Sequence, residues 1–178
     1  MADLNIENIV VSMQIAKSLD LDKLVEAIPN SNYNPEDVPA LIIHFEQPKS
    51  AVMLFSDGTA IFTGPKSMEE VNEIIKMLHN KLTTVGVKAH ENPDIKIQNM
   101  VASTDLNKKL DLQTIATKLE NTDYNPENFP GLIYKTDDPK IVILLFDSGK
   151  IICNGIESEE ISTAIDEMTN KMSSLEII

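Results

Sequence analysis

The chain has 178 residues and a formal net charge of −13, with 28 acidic residues against 15 basic ones, all lysine. That length admits one large domain or two small ones, the composition is that of a globular chain rather than a disordered one, and the acidity excludes loose attraction to nucleic acid or to an anionic membrane. The single Cys153 excludes an internal disulfide and suits a reducing compartment; the N-terminus shows no basic-then-apolar leader, and no apolar run reaches the roughly 20 residues of a membrane helix.

Residues 8–15 alternate with period two, so Ile9, Val11, Met13 and Ile15 face one way and Asn8, Val10, Ser12 and Gln14 the other. Residues 20–28 read as a short helix, with Asp20 as N-cap and Leu21, Leu24, Val25 and Ile28 as its apolar stripe. Pro29 and the run up to Pro35 end it in a loop. Strands are expected at 40–45, 51–55 and 59–63, joined by the short turns Glu46-Gln47-Pro48-Lys49 and Ser56-Asp57-Gly58. These strands are apolar on both sides: Leu41, Ile43 and Phe45 oppose Ile42, while Val52 and Leu54 oppose Met53 and Phe55.

Ser67 and Glu70 form a capping box that opens the longest helix, over 67–82, with Val71, Ile74, Ile75, Leu78 and Leu82 as its buried stripe. Residues 87–90 read as a further strand, and Asn92-Pro93 as a boundary. The order then recurs: strand 97–104, helix 111–119, strands near 131–135, 141–146 and 150–154, helix 158–172. Cys153 sits in the apolar run Ile151-Ile152-Cys153 and reads as a buried small hydrophobe.

This recurrence is an internal duplication. At a constant spacing of 91 residues, from Ile6/Ile97 to Met77/Met168, about 27 positions are identical. Residues 1–92 and 93–178 are accordingly the two expected repeats. Each has the order strand, helix, several hairpin-linked strands, helix, which is an α+β unit on an antiparallel sheet. Two helices cover only one sheet face. Val10, Met53, Phe55 and Ile61, with Val101, Leu144, Phe146 and Ile152 in the second copy, are left on the other, and such a bare apolar face marks a binding surface. Asn8, Ser12 and Thr63, then Asn99, Ser103 and Asn154, complete that face, with no acid among them. Lys49, Lys135, Lys140 and Lys150 flank it at strand ends, an apolar floor with a lysine rim that suits a groove between two phosphate rails. The acids Glu69, Glu70, Glu73, Glu159, Glu160, Asp166 and Glu167 lie on the helices, looking away.

The chain resembles the TATA-box-binding protein family, archaeal type, over nearly its whole length. The resemblance rests on Gln98-Asn99-Met100-Val101, Tyr124-Asn125-Pro126-Glu127, Phe129-Pro130-Gly131-Leu132-Ile133-Tyr134, Pro139-Lys140 and Phe146-x-Ser148-Gly149, with their first-repeat counterparts. It implies a saddle-shaped curved antiparallel sheet from two pseudo-symmetric repeats, with helices on the convex face and the concave face on the minor groove of TATA-box promoter DNA. It further implies that Phe129 and Phe146 form one wedging pair, and that Phe55 is half of another. Val38 departs from phenylalanine at the fourth position, which implies a less complete wedge. Asn8 and Asn99 are implied to meet groove acceptors, with Val10 and Val101 disfavouring guanine beside them. Thr63 matches a family threonine where the second copy has Asn154, and Lys49 and Lys140 stand where arginine is common. The loop carrying Glu127 and Asn128 is implied to touch transcription factor B, ahead of RNA polymerase, and the free chain to admit a homodimer. An archaeal cytoplasm is expected, or a nucleus if the source is eukaryotic.

Against this stand plainer readings. Strand phenylalanines ordinarily belong to the core, and the lysines are then solvated charges. His44, His79 and His90 lack metal-ligand spacing. No Gly-rich phosphate loop, paired Cys/His or nucleophile elbow points to an enzyme or a cofactor. A helix-grip module enclosing a small apolar ligand is the alternative.

Overall fold

The computed structural model describes residues 3–137 and 140–178. The chain divides into two compact units: an N-terminal unit, Asn8–Gln98, and a C-terminal unit, Asn99–Ile178 together with the residues up to Glu7.

In the N-terminal unit the elements are β1 (Asn5–Gln14, whose first residues belong to the other unit), α1 (Leu21–Ala27), β2 (Ser31–Tyr33), β3 (Ala40–Glu46), β4 (Lys49–Phe55), β5 (Thr59–Thr63) and α2 (Met68–Thr84). The strands lie in the order β2-β3-β4-β5-β1, each pair antiparallel. The C-terminal unit repeats the pattern with β6 (Lys96–Asp105), α3 (Leu112–Lys118), β7 (Thr122–Asp123), β8 (Leu132–Lys135), β9 (Val142–Leu145), β10 (Lys150–Gly155) and α4 (Ser158–Ser174). Its order is β6-β10-β9-β8-β7, again antiparallel throughout. The class is α+β, as the alternation of hairpins and helices predicts.

The helices start where their side chains offer caps. Asp20 accepts from the Lys23 amide at 3.3 Å, and Asp111 from the Thr114 amide at 3.1 Å and hydroxyl at 2.7 Å. The Thr114 hydroxyl, then its amide, hold the Asp111 carboxyl below its ordinary range. Ser67 accepts from the Glu70 amide at 3.2 Å while Glu70 reaches back to the Lys66 amide at 2.6 Å.

Two expectations are corrected. The segment after Pro29, read as a loop, contains β2, which pairs Ser31 with Ile43 and Tyr33 with Leu41; β7 does the same in the second copy. Edge strands of two or three residues are too short for a period to show. Residues 87–90, read as a strand, make only one bridge, Ala16 to Ala89, after Gly86 turns the chain at φ +87°.

The core of each unit lies between one sheet face and its helices. Val11, Leu41, Val52, Leu54 and Phe62 meet Val71, Ile74, Leu78 and Leu82, all without solvent exposure. In the second unit Leu132, Ile143, Leu145 and Ile151 meet Ile161 and Met168 in the same way. Lys81 of α2 reaches over the Phe45 ring, and Lys171 of α4 donates to the Tyr134 hydroxyl at 3.3 Å, so both helices lie over the core side.

Leu54 and Met53 point to opposite faces. Leu54→Ala is expected to cost about 2–5 kcal/mol, and Met53→Ala about 1 kcal/mol or less, in chemical denaturation. Equal costs would mean that both faces are covered. Cys153 is buried in the core, where desolvation pushes its thiol up to about 12. It should ignore a thiol reagent at neutral pH until the fold is opened by denaturant, and prompt reaction in the folded state would contradict this packing.

Candidate nucleic-acid interface

Strand periodicity sends every second side chain away from the helices. In the N-terminal unit Asn8, Val10, Ser12, Ile42, Met53, Phe55, Ile61 and Thr63 are all half-buried, between core residues that are fully buried. Register makes them neighbours: Met53 lies across from Ile42 and Ile61, and Ser12 across from Ile61. The C-terminal unit gathers Asn99, Val101, Ile133, Leu144, Phe146 and Ile152, half-buried, with Asn154 exposed. Here Ile152 faces Leu144, Leu144 faces Ile133, and Asn154 faces Val101 and Val142. Each unit therefore holds its predicted residues on one sheet face, with Ser103 alone among them buried.

Phe129 and Phe146 are half-buried rather than sealed in the core. Their rings meet edge to face, with centroids 6.0 Å apart at 68°. Phe129 is set by a turn in which its amide donates to the Asn125 carbonyl at 3.0 Å, and Val38 by the same bond to Asn34 at 3.0 Å. The difference lies two residues on. A Cβ at Gly131 would come 2.7 Å from the Phe129 ring, so glycine leaves room for the aromatic side chain. The matching residue in the first copy is Ala40, beside the shorter Val38, which is 39% exposed. Bulk at positions 38 and 129 and bulk two residues later trade against one another.

The two central asparagines also differ. Asn8 Oδ1 accepts from the Gly64 amide at 2.7 Å, which turns Asn8 Nδ2 toward Thr63 Oγ1 at 3.2 Å. Gly64 can do this because its backbone is left-handed, at φ +116°, and passes so close that a Cβ would sit 2.6 Å from the Lys49 carbonyl. Asn99 has Asn154 and Gly155 in the equivalent places, yet neither Asn99 nor Asn154 makes a side-chain hydrogen bond among the described residues. The role of Gly64 was missed in the sequence, although its identity with Gly155 was a signal.

Lys49, Lys135, Lys140 and Lys150 are exposed. Lys135 and Lys140 share a cleft of about 540 Å³ with Ile133 and Val142, but also with Asp123 and Asp137, so the rim there is mixed rather than purely basic. A second correction concerns Glu7. The Ser103 hydroxyl donates to its carboxylate at 2.6 Å, which brings an acid against an open-face residue and buries Ser103. Gln98, at the matching place in the other copy, donates to Ser12 at 2.8 Å. Both partners precede the central asparagines directly, a signal the alternation reading passed over.

Pro130, Glu127 and Asn128 are exposed, with the Glu127 amide donating to Asn125 Oδ1 at 3.2 Å. Pro139, part of the Pro139-Lys140 pair, lies outside the described residues. Among the described residues no group of His, Cys, Asp and Glu could hold a metal ion, and no helix is long and apolar enough to cross a membrane.

The family model for "Transcription factor TFIID (or TATA-binding protein, TBP)" matches the chain twice, over residues 3–85 and 94–175. The TATA-box-binding protein of Pyrococcus furiosus is 46% identical over 156 residues, covering 88% of this chain and 82% of that protein. The TATA-box-binding protein of Methanothermobacter thermautotrophicus is 42% identical over 177 residues, covering 99% and 98%. The solved structure of Methanococcus jannaschii TBP superposes with a TM-score of 0.91 at 39% identity, covering 97% of this chain and 99% of that one.

Gly131→Ala is expected to cost about 1–3 kcal/mol by displacing the Phe129 ring. Val38→Phe should be tolerated only with Ala40→Gly, the double variant exceeding the single in stability by about 1 kcal/mol. Denaturation curves that coincide for the single and double variants would show that the Cβ at 40 does not contest the ring.

Proposed function

Because the chain belongs to the TATA-binding protein family, whose members are DNA-binding transcription factors and not enzymes, we propose that it binds TATA-box promoter DNA through the minor groove, bends it, and nucleates assembly of the initiation complex. The observation that carries this reading is the uncovered face of each unit: half-buried apolar side chains in register, two asparagines among them, and lysines at the strand ends. In this reading 1–92 and 93–178 are the two repeats, each serving half of the DNA site.

The chemistry of the face suits an A·T minor groove. Adenine N3 and thymine O2 are acceptors, whereas guanine adds an amino donor. Asn8, with its oxygen occupied by Gly64, presents Nδ2 as a donor to those acceptors. Val10 and Val101 fill space beside the central asparagines and themselves offer a guanine amino group no acceptor. Met53, Ile61, Leu144 and Ile152 displace groove water. The Phe129–Phe146 pair, with Pro130 beside it, wedges one end of the site; Phe55 with Val38 wedges the other end less completely. Kinking by apolar wedges is the behaviour for which this family is itself the type example.

Lys49, Lys135, Lys140 and Lys150 approach the phosphate rails as point charges. Glu69, Glu73, Glu159 and Glu167 are exposed on the helices. Repulsion from that side is damped by a screening length of about 8 Å at physiological salt. The exposed loop at Glu127 and Asn128 is the docking point for transcription factor B, through which RNA polymerase is recruited. Off DNA, the apolar faces favour a homodimer, and the setting is the cytoplasm of an archaeal cell. A helix-grip module has no support, since the layer it would hollow out is filled by Phe62, Leu54, Ile74 and Leu78.

Binding and bending are measured together by fluorescence transfer across an end-labelled TATA duplex. Phe129→Ala and Phe146→Ala should each weaken affinity about tenfold or more and reduce the bend, with circular dichroism unchanged. Unchanged affinity and bend in both variants would sink the wedge assignment. Affinity should fall only shallowly with salt, because few phosphates are neutralised; a steep slope would contradict that.

A further inference from the structure

The duplicated chain places different hydrogen-bonding groups at one position of its two open faces, and the difference bears on which base pairs each half admits. In the N-terminal unit the register pairs Val11 with Phe62, and Thr63 follows next on β5 as Val10 precedes on β1; in the C-terminal unit Asn154 lies across from Val101. Thr63 is engaged within the protein. Asn8 Oδ1 is held by the Gly64 amide at 2.7 Å, so Asn8 Nδ2 donates to Thr63 Oγ1 at 3.2 Å. The Thr63 hydroxyl in turn donates to Asn8 Oδ1 at 3.5 Å, so the pair is closed on itself and the second Asn8 Nδ2 proton is left for a groove acceptor. The Thr63–Asn8 pair therefore turns a donor, the remaining Asn8 Nδ2 proton, to the groove, which matches A·T and T·A pairs.

Asn154 is exposed, and no side-chain hydrogen bond ties it to Asn99 or any other described residue. Its carboxamide carries both an acceptor oxygen and a donor nitrogen and can turn either one outward. It also lacks the methyl group that stands beside the hydroxyl in threonine. A guanine amino group opposite Thr63 would meet a hydroxyl already engaged in both directions with Asn8. Opposite Asn154 it meets Oδ1.

Resting on the reading of the open faces as a minor-groove surface, we propose that Asn154 is a specificity-determining residue. It accepts a hydrogen bond from the guanine 2-amino group, so the half-site under the C-terminal unit admits a G·C pair that the half-site under the N-terminal unit rejects. The two halves of the recognised DNA are then unequal because of the protein's hydrogen bonding as well as its wedges.

The test compares duplexes by fluorescence anisotropy. The parent is a self-complementary A·T-only octamer in flanking DNA, on which the full chain is free to sit either way round. Each pair of one half is replaced in turn by G·C, and separately by inosine·C, which lacks the amino group and is otherwise the same substitution. The wild-type chain should bind G·C within about twofold of inosine·C at one position. Asn154→Thr and Asn154→Ala should each bind G·C about tenfold more weakly there, the usual cost of one wrong base pair, while still matching wild type on inosine·C. A wild-type chain that discriminates tenfold at every position, or variants with the same G·C to inosine·C ratio as wild type, would overturn the assignment. Failure of the wild-type chain to bind the parent octamer would overturn the DNA reading itself, and this inference with it.

Discussion

Helices on one side only of each half-sheet are the constraint on which the rest of the molecule depends. A strand must send alternate side chains to opposite faces, so a half-sheet with helices on one face alone has a dry row and a wet row. The dry row, Val11, Leu41, Leu54 and Phe62 with their second-copy partners, holds the fold together. The wet row is apolar as well, which costs solubility and contributes little to stability. Its chemistry makes sense as a surface that becomes dry only when something lies on it.

That division also explains how a strongly acidic chain can meet a polyanion. Exposed carboxylates are spread over loops, turns, strand ends and helices, Glu69, Glu73, Glu159 and Glu167 on α2 and α4 among them, and the wet row is built from neutral side chains. The separation is not complete. Glu7 reaches Ser103, and Asp123 and Asp137 share a cleft with Lys135 and Lys140. Local pairing of this kind tempers the field of the rim, and Glu7 is the one carboxylate it sets against an open-face residue, Ser103.

Duplication supplies two copies of the wet row, and small differences between them carry the asymmetry. Phe129 with Gly131 and Val38 with Ala40 are two solutions to one packing problem, since a ring and a nearby Cβ compete for the same space. Asn8 with Thr63 and Asn99 with Asn154 are two solutions to one hydrogen-bonding problem, the first closed within the protein and the second left open. The two copies are thereby chemically unequal.

Much of this was legible in the chain itself. Period-two alternation in 8–15 and 40–63, the 91-residue repeat and the caps at Asp20 and Ser67 determined the elements, their class and which residues share a face, because those signals are local in sequence and fixed by backbone geometry. The edge strands β2 and β7 escaped because two or three residues cannot display a period. Tertiary structure alone decided that Gly64 orients the Asn8 amide, that Gly131 seats the Phe129 ring, and that Glu7 reaches Ser103. Each of these depends on a distance of a few ångströms between residues remote in sequence or on different strands, or on the local path of the backbone, and no pattern of residue types contains such distances.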